Sequence, residues 1–463
     1  MELSPSFIEQ VSQNKYFKIV DAVTGRSISW LDVAEQALPT KKGQLAFLYL
    51  DNSIESIIAF FRFYISGAAV ALLPKTLQAD RKQQLENNYR PALIFDKTRE
   101  TVIGFSEINN GGLAYFQTVN TELSPQVHQK IKILLSTSGT TGSPKLVKLS
   151  EENLLSNAAS IISYLPINTK DVTPLNLPIY YSYGLSILTT HALAGGTMVC
   201  GLADVIQKEF WQQWEQFGFT SLAGVPFTYE MLDRLDFFKK ELPTLTYFTQ
   251  AGGRLSGALV TKAAMYAIEN NKRFFVMYGQ TEATARMAYL PPANTLQKPT
   301  SIGIAIPGGK FSIDADTQEL LYSGKNVFGG YAEASADLAN FEANEILRTG
   351  DIAQMDEDGY VYITGRLKRF VKLFGNRIGL DEMEDIIKTQ FNLQPLACNG
   401  FNDKYLLVSY VDDTTDTKII TAFLFANFGL HPTAIRWNLL TALPLTANGK
   451  IDYQQIITEH AGI

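Results

Sequence analysis

Residues 136–145 gather the side chains best suited to chemistry: Ser136, Thr137, Ser138, Gly139, Thr140, Thr141 and Gly142, followed by Ser143, Pro144 and Lys145. Hydroxyls and backbone N–H groups, in a loop that glycine lets fold closely, are what a polyphosphate needs, and Lys145 adds a compact positive charge. The pattern is not the common nucleotide-binding P-loop, which wants a second glycine immediately before the lysine, where this chain has Pro144. A flexible Ser/Gly linker is the plain alternative. It fits poorly between two apolar runs as short as IKILL and LVKL.

Further along, YGQTEAT (278–284) follows the apolar run RFFVM. Glu282, expected at a strand end, suits Mg²⁺, because hard cations prefer carboxylate oxygens beside substrate phosphates. Thr281 could contact an α-phosphate. Asp351 in TGD, with Arg366 in TGR assisting, offers a carboxylate that can accept two hydrogen bonds from a ribose diol. In QAGG, Gly252 and Gly253 would let backbone approach a substrate closely. Near the C-terminus, PLTANGKID places Lys450 after Gly449 in an unusual turn. Each motif alone also reads as an ordinary turn.

The elements that must hold these groups follow an α/β rhythm. Ile131–Leu135 and Leu146–Leu149 read as antiparallel strands joined by the loop, and Ser150 with Glu151 and Glu152 as a helix start. Short apolar runs alternate with helical patterns up to RFFVMYG, including a helix expected over 229–238. From about 300 the texture turns to short strands and glycine turns, and beyond 368 a small unit holds helices at 380–389 and 417–427 around YLLVSYV. Residues 57–74 read as a buried helix followed by a strand rather than a membrane span.

In this order, STSGTTGSPK, YGQTEAT, TGD with TGR, and NGK resemble the AMP-forming adenylating enzymes, which include acyl-CoA synthetases, peptide-synthetase adenylation domains and luciferases. The resemblance runs from 134 to the C-terminus. It implies a large adenylating domain (1–367) with a β-rich subdomain, holding ATP and acyl sites, and a small mobile α+β domain (368–463) carrying the catalytic lysine, with the hinge at Lys368. By resemblance, residues 136–142 and Lys145 wrap the pyrophosphate end of ATP, Tyr278 stacks on or flanks adenine, Gly279 is nucleotide-binding, Gly252 and Gly253 let backbone approach the acyl substrate and adenine, and Lys450 stabilises charge on the α-phosphate. Lys372, Gly375 and Arg377 would face the thiol donor.

The implied activity is ligation of a small carboxylic acid to a thiol, by way of acyl-AMP, with ATP and Mg²⁺. CoA is the favoured acceptor, a carrier-protein phosphopantetheine the alternative. A degenerate nucleotide-binding regulator would be expected to lose Lys450, Glu282 or Asp351, and all three are present. In LNLPIYYSYG, Tyr181 stands where the family often has histidine, and Ser182 where peptide-synthetase domains hold an ammonium with aspartate. An ammonium buried without a partner is costly, so an unaminated acid is expected, with Tyr181, Ser182 and Tyr183 at its pocket.

Composition sets outer limits. With 463 residues, 46% hydrophobic and 19% charged, the chain suits a multidomain globular protein, and a net charge of −6 argues against nucleic acid or an anionic membrane as the main partner. Two distant cysteines give neither a disulfide framework nor zinc spacing. The N-terminus carries acids early and no signal-type apolar core, so a cytoplasmic enzyme is expected.

Overall fold

The computed structural model describes residues 6–461 except 15, 36–37, 40, 137–144, 368, 374–375, 402–403 and 447–448. Thr137, Ser138, Gly139, Thr140, Thr141, Gly142 and Lys368 therefore lie outside the described residues, as do Gly375 and the side chains of Lys372 and Arg377. The fold is mixed α/β, and packing divides it into two compact units: residues 1–310 with 323–347, and residues 311–322 with 348–463.

The first unit is organised around an eight-stranded sheet. Its order is Tyr331–Ala332, Leu146–Ser150, Ile131–Ser136, Ala69–Pro74, Leu45–Leu50, Leu93–Phe95, Leu113–Thr118 and Phe105–Asn110. The strands from Ile131–Ser136 to Leu93–Phe95 are parallel, and the outer pairs antiparallel. Every residue of Leu45–Leu50 is buried, as the unbroken apolar run LAFLYL requires of a parallel strand covered on both faces. Residues 57–74 form helix Ile54–Ile65 and strand Ala69–Pro74. Arg62, which interrupts that run, is buried and donates to Asn110 Oδ1 at 2.8 Å.

A second sheet carries parallel strands Ser221–Gly224, Tyr247–Gln250 and Arg273–Tyr278, then turns antiparallel through Ala288–Leu290 and Ile304–Ala305. The helix expected over 229–238 runs instead from Pro226 to Arg234. Proline is preorganised for the first helical turn, which starts it early, and Asp236 at φ 55° ends it before a separate 3₁₀ turn at Phe237–Lys239.

The second unit contains most of the four-stranded sheet Gly309–Ile313, Glu319–Gly324, Leu347–Met355, Val361–Arg366, whose strand ends 309–310, 323–324 and 347 count with the first unit, the strand pair Phe370–Leu373/Asn376–Gly379, and the sheet Leu396–Phe401, Tyr405–Tyr410, Ile435–Leu439. Helices Leu380–Phe391, Thr417–Phe428 and Tyr453–Ala461 accompany them. Helix Leu380–Phe391 packs on strand Val361–Arg366, and residues 311–322 and 348–367 of the β-rich stretch group with the C-terminal residues. By packing, the second unit thus begins ahead of 368.

No helix among the described residues is long and apolar enough to cross a membrane. Cys200 and Cys398 are free and buried.

Candidate active site

The two residues flanking the expected phosphate-binding segment lie side by side, because Ser136 is paired with Leu146 in the antiparallel register. At its exit Lys145 pairs with the Glu333 carboxylate, and its ammonium lies 5.8 Å from the centre of the Tyr331 ring. Tyr331 stands opposite Val147 on the neighbouring strand and donates through its hydroxyl to Glu282 Oε1 at 2.8 Å. Burial, then the Glu282 charge and this hydrogen bond, push the Tyr331 phenol well above its ordinary range, so it stays a donor. The loop lysine and the expected metal carboxylate are in this way linked through one aromatic side chain.

Glu282 belongs to a loop that doubles back between two antiparallel strands, with the Met287 N–H donating to the Tyr278 carbonyl at 2.8 Å. It stands not at the strand end, as expected, but in a 3₁₀ turn, Thr281–Ala283, beyond Tyr278. The shift arises because Gly279 lets the chain turn back: a Cβ there would collide with the Ala285 carbonyl. Buried Thr284 follows at φ 68°, a conformation a β-branched residue adopts only when its surroundings enforce it. Here its Oγ1 donates to the Asn326 carbonyl at 2.8 Å, while Asn326 Nδ2 donates to the carbonyls of Ala283 and Arg286, each at 2.9 Å. The Phe328 N–H fixes the Glu282 carbonyl at 2.9 Å. Gln280 Nε2 donates to the Tyr278 hydroxyl at 3.3 Å.

From this loop the site extends to the start of helix Ser182–Ala194. Thr281 Oγ1 lies 3.5 Å from Ser182 Oγ. The Tyr181 hydroxyl packs on Gly252, where a Cβ would come within 2.6 Å of it, so Tyr181 and Gly252 occupy one wall. Gly253 packs on Pro226, and its carbonyl accepts from Gln250 Nε2 at 2.7 Å. Tyr183 is buried, bonded to Thr249 Oγ1 at 2.7 Å, and burial pushes its phenol up to about 12. It lines a cavity of about 30 Å³ together with Ser186, Thr249, Met277 and Arg286, a lining that leaves out Tyr181 and Ser182.

In the second unit Asp351 is buried and directly opposite Arg366, whose Nε donates to Asp351 Oδ1 at 3.0 Å. Gly350, at φ 74°, donates its N–H to Glu319 Oε1 at 2.9 Å. Lys450 is half-buried at the end of a tight turn: Thr446 and Lys450 exchange bonds at 2.7 and 3.2 Å, and Gly449 takes φ 70°.

Within the first unit, therefore, Lys145, Glu282, Thr281, Ser182, Tyr181 and Gly252 form a connected set through Tyr331 and the 278–286 loop. Asp351 with Arg366 form a pair in the second unit, where Lys450 stands in its own turn. Sequence reasoning missed Tyr331, which lies 49 residues from Glu282, as well as Glu333, Asn326 and Arg286. No spacing signal marks them, since sheet pairing and loop folding bring them in. Among the described residues no cluster of three or more His, Cys, Asp or Glu forms a metal cage. A lone oriented carboxylate such as Glu282 fits Mg²⁺ that keeps water and substrate phosphates as its other ligands.

The family model described as AMP-binding enzyme matches residues 35–332. Oxalate–CoA ligase of Arabidopsis thaliana is 25% identical over 91% of this chain and 89% of its own length. D-Alanine–D-alanyl carrier protein ligase of Lactiplantibacillus plantarum is 27% identical over 70% of each chain. In fold, o-succinylbenzoate CoA synthetase from Bacillus subtilis, in complex with its acyl-adenylate, superposes with a TM-score of 0.78 at 20% identity, covering 98% of both chains. The chain belongs to the AMP-binding enzymes, the AMP-forming adenylating superfamily that its four motifs resemble, and is a ligase of the acyl-CoA synthetase-like kind.

Proposed function

We propose that the protein joins a carboxylic acid to the thiol of CoA in two half-reactions. A carboxylate oxygen attacks the α-phosphorus of ATP, the bond to the β-phosphate breaks, and pyrophosphate leaves. The thiolate sulfur then attacks the acyl carbon, the bond to the phosphate oxygen breaks, and AMP leaves with the electron pair.

The observation that carries this reading is the Lys145–Tyr331–Glu282 link, which supports a pyrophosphate-holding end beside a metal carboxylate. Residues 136–142 and Lys145 would hold the departing phosphates, and Thr281 the α-phosphate. Bound at Glu282, Mg²⁺ supplies charge neutralisation on the phosphates. Tyr278 and Gly279 would flank adenine, and Asp351 with Arg366 would hold the ribose. Tyr181, Gly252 and Gly253 shape the approach of the acid. Lys450 would offset charge developing at the α-phosphorus, and Lys368 would be the pivot on which residues 368–463 turn between half-reactions.

ATP–pyrophosphate exchange across a panel of acids, followed by AMP release on adding CoA, tests it. No exchange with any acid overturns the adenylating step. Similarity to a carrier-protein ligase favours a second reading, in which AMP is released by a holo-carrier protein and not by CoA.

A further inference from the structure

Arg286 is 3% exposed, yet no carboxylate among the described residues pairs with it. Its guanidinium carbon lies 3.9 Å from the centre of the Tyr183 ring. Among the described residues the one hydrogen bond from that group is long, Nη1 to the Ala285 carbonyl at 3.5 Å, and its buried Nε meets no hydrogen-bond partner. The main chain beneath it is pinned: its carbonyl accepts from Asn157 Nδ2 at 2.8 Å and Asn326 Nδ2 at 2.9 Å. Folding thus spends several bonds to hold a cation in a place where an unpaired cation is strongly disfavoured.

That cation borders the cavity of about 30 Å³, which has room for a small polar group. The other buried charge nearby is already engaged: Asp171 accepts from Thr220 Oγ1 at 2.6 Å and Tyr247 at 2.8 Å, and faces His191 Nε2 at 3.5 Å. The cavity also rests on the elements assigned to the reacting end. Tyr183 follows Ser182, and Arg286 ends the loop that carries Thr281, whose Oγ1 lies 3.5 Å from Ser182 Oγ.

We propose that Arg286 is the specificity-determining residue of the acyl pocket and that the acid is a dicarboxylate, one carboxylate adenylated and the other paired with this guanidinium. The proposal rests on the acyl-adenylating reading of the site. The same charge explains why a pocket with Ser182 in place of an acid has no use for an amino acid's ammonium.

The test is pyrophosphate exchange with matched pairs: adipate against hexanoate, and phthalate, isophthalate and terephthalate against benzoate. At least one diacid should exceed its monoacid in kcat/KM by about 10- to 100-fold, the range that charge-assisted hydrogen bonds supply. In Arg286→Met that ratio should fall towards one through the KM of the diacid, and Arg286→Lys should restore part of it. Preference of the wild-type protein for monoacids throughout, or an equal loss for both members of a pair in Arg286→Met, overturns the proposal while leaving the ligase reading intact. Exchange with no acid at all overturns both. If Arg286→Met does not fold, as judged by its melting curve, the wild-type pairs decide alone.

Discussion

Replacing Tyr331 with phenylalanine keeps the ring beside Lys145 and the strand pairing with Val147, and removes only the hydroxyl that donates to Glu282 Oε1 at 2.8 Å. A hydrogen bond to a charged acceptor contributes about 1.5–3 kcal/mol. Tyr331 is 40% exposed, so water competes for the same carboxylate, and about 0.7–1.4 kcal/mol is the better figure, about 3- to 10-fold in an equilibrium. Because Glu282 is assigned to the metal, the loss should appear as a 3- to 10-fold rise, roughly, in the Mg²⁺ concentration that half-saturates pyrophosphate exchange, with kcat at saturating Mg²⁺ changed less than about twofold. The phenol's raised pKa means the folded chain binds that proton more tightly than the unfolded one. Its contribution is therefore complete below the ordinary tyrosine range and lost only at pH above it. The deficit of the variant should accordingly be flat between about pH 6 and 9. An unchanged Mg²⁺ curve, or a deficit that fades across that range, would refute the reasoning.

Lys450→Ala should lower the exchange rate by about 10²- to 10³-fold while ATP affinity, read by equilibrium binding, changes far less; wild-type exchange would remove Lys450 from the mechanism. Gly279→Ala should abolish exchange by forcing the 278–286 loop open at the Ala285 carbonyl, with near-native circular dichroism; full activity would show that the loop tolerates a Cβ there. Outside the connected set of site residues, Lys82 and Asp96 form a buried pair at 2.8 Å. Burial would raise the Asp96 carboxyl, but hydrogen bonds from Lys82 and Thr98 outweigh it and hold the carboxyl below its usual range. Its stabilisation is thus present above about pH 4 and is lost as pH falls through the depressed value. Lys82→Met should cost about 2–3 kcal/mol by denaturant titration at neutral pH, less than a broken isolated pair because Arg99 also holds Asp96, and should flatten the fall in acid.

What could be read from the chain was what is local. The apolar runs on either side of residues 137–144 form the expected antiparallel strands, and Ser150 caps helix Glu151–Tyr164 in a reciprocal box with Asn153. The TGD and TGR motifs fall opposite one another, Asp351 on Arg366, so a spacing that looked like two turns is a cross-strand pair. Illegible were the groups supplied by long-range pairing. Tyr331 reaches Glu282 only because a two-residue strand is added beside Leu146–Ser150. Arg286 lies just beyond YGQTEAT, in the string TEATAR, where no apolar periodicity marks a buried position. It is buried because the loop doubles back over Gly279, an event that depends on contacts with Asn157 and Asn326.

The short strand Tyr331–Ala332 has a second duty. It is one of the two edge strands of the eight-stranded sheet, and without it Leu146–Ser150, with Leu146, Val147 and Leu149 buried, would present an apolar edge with open backbone groups. Such edges recruit strands from other molecules. The cover is continuous: beyond the paired residues, Lys148 exchanges bonds with Gly329 and Gly330 at 2.8 and 3.0 Å. Edge protection and the role proposed for Tyr331 therefore draw on the same few residues. Losing the pairing of this strand would seed aggregation from the very segment that follows Lys145, so damage there would register as protein lost from solution before it registered as a slower enzyme.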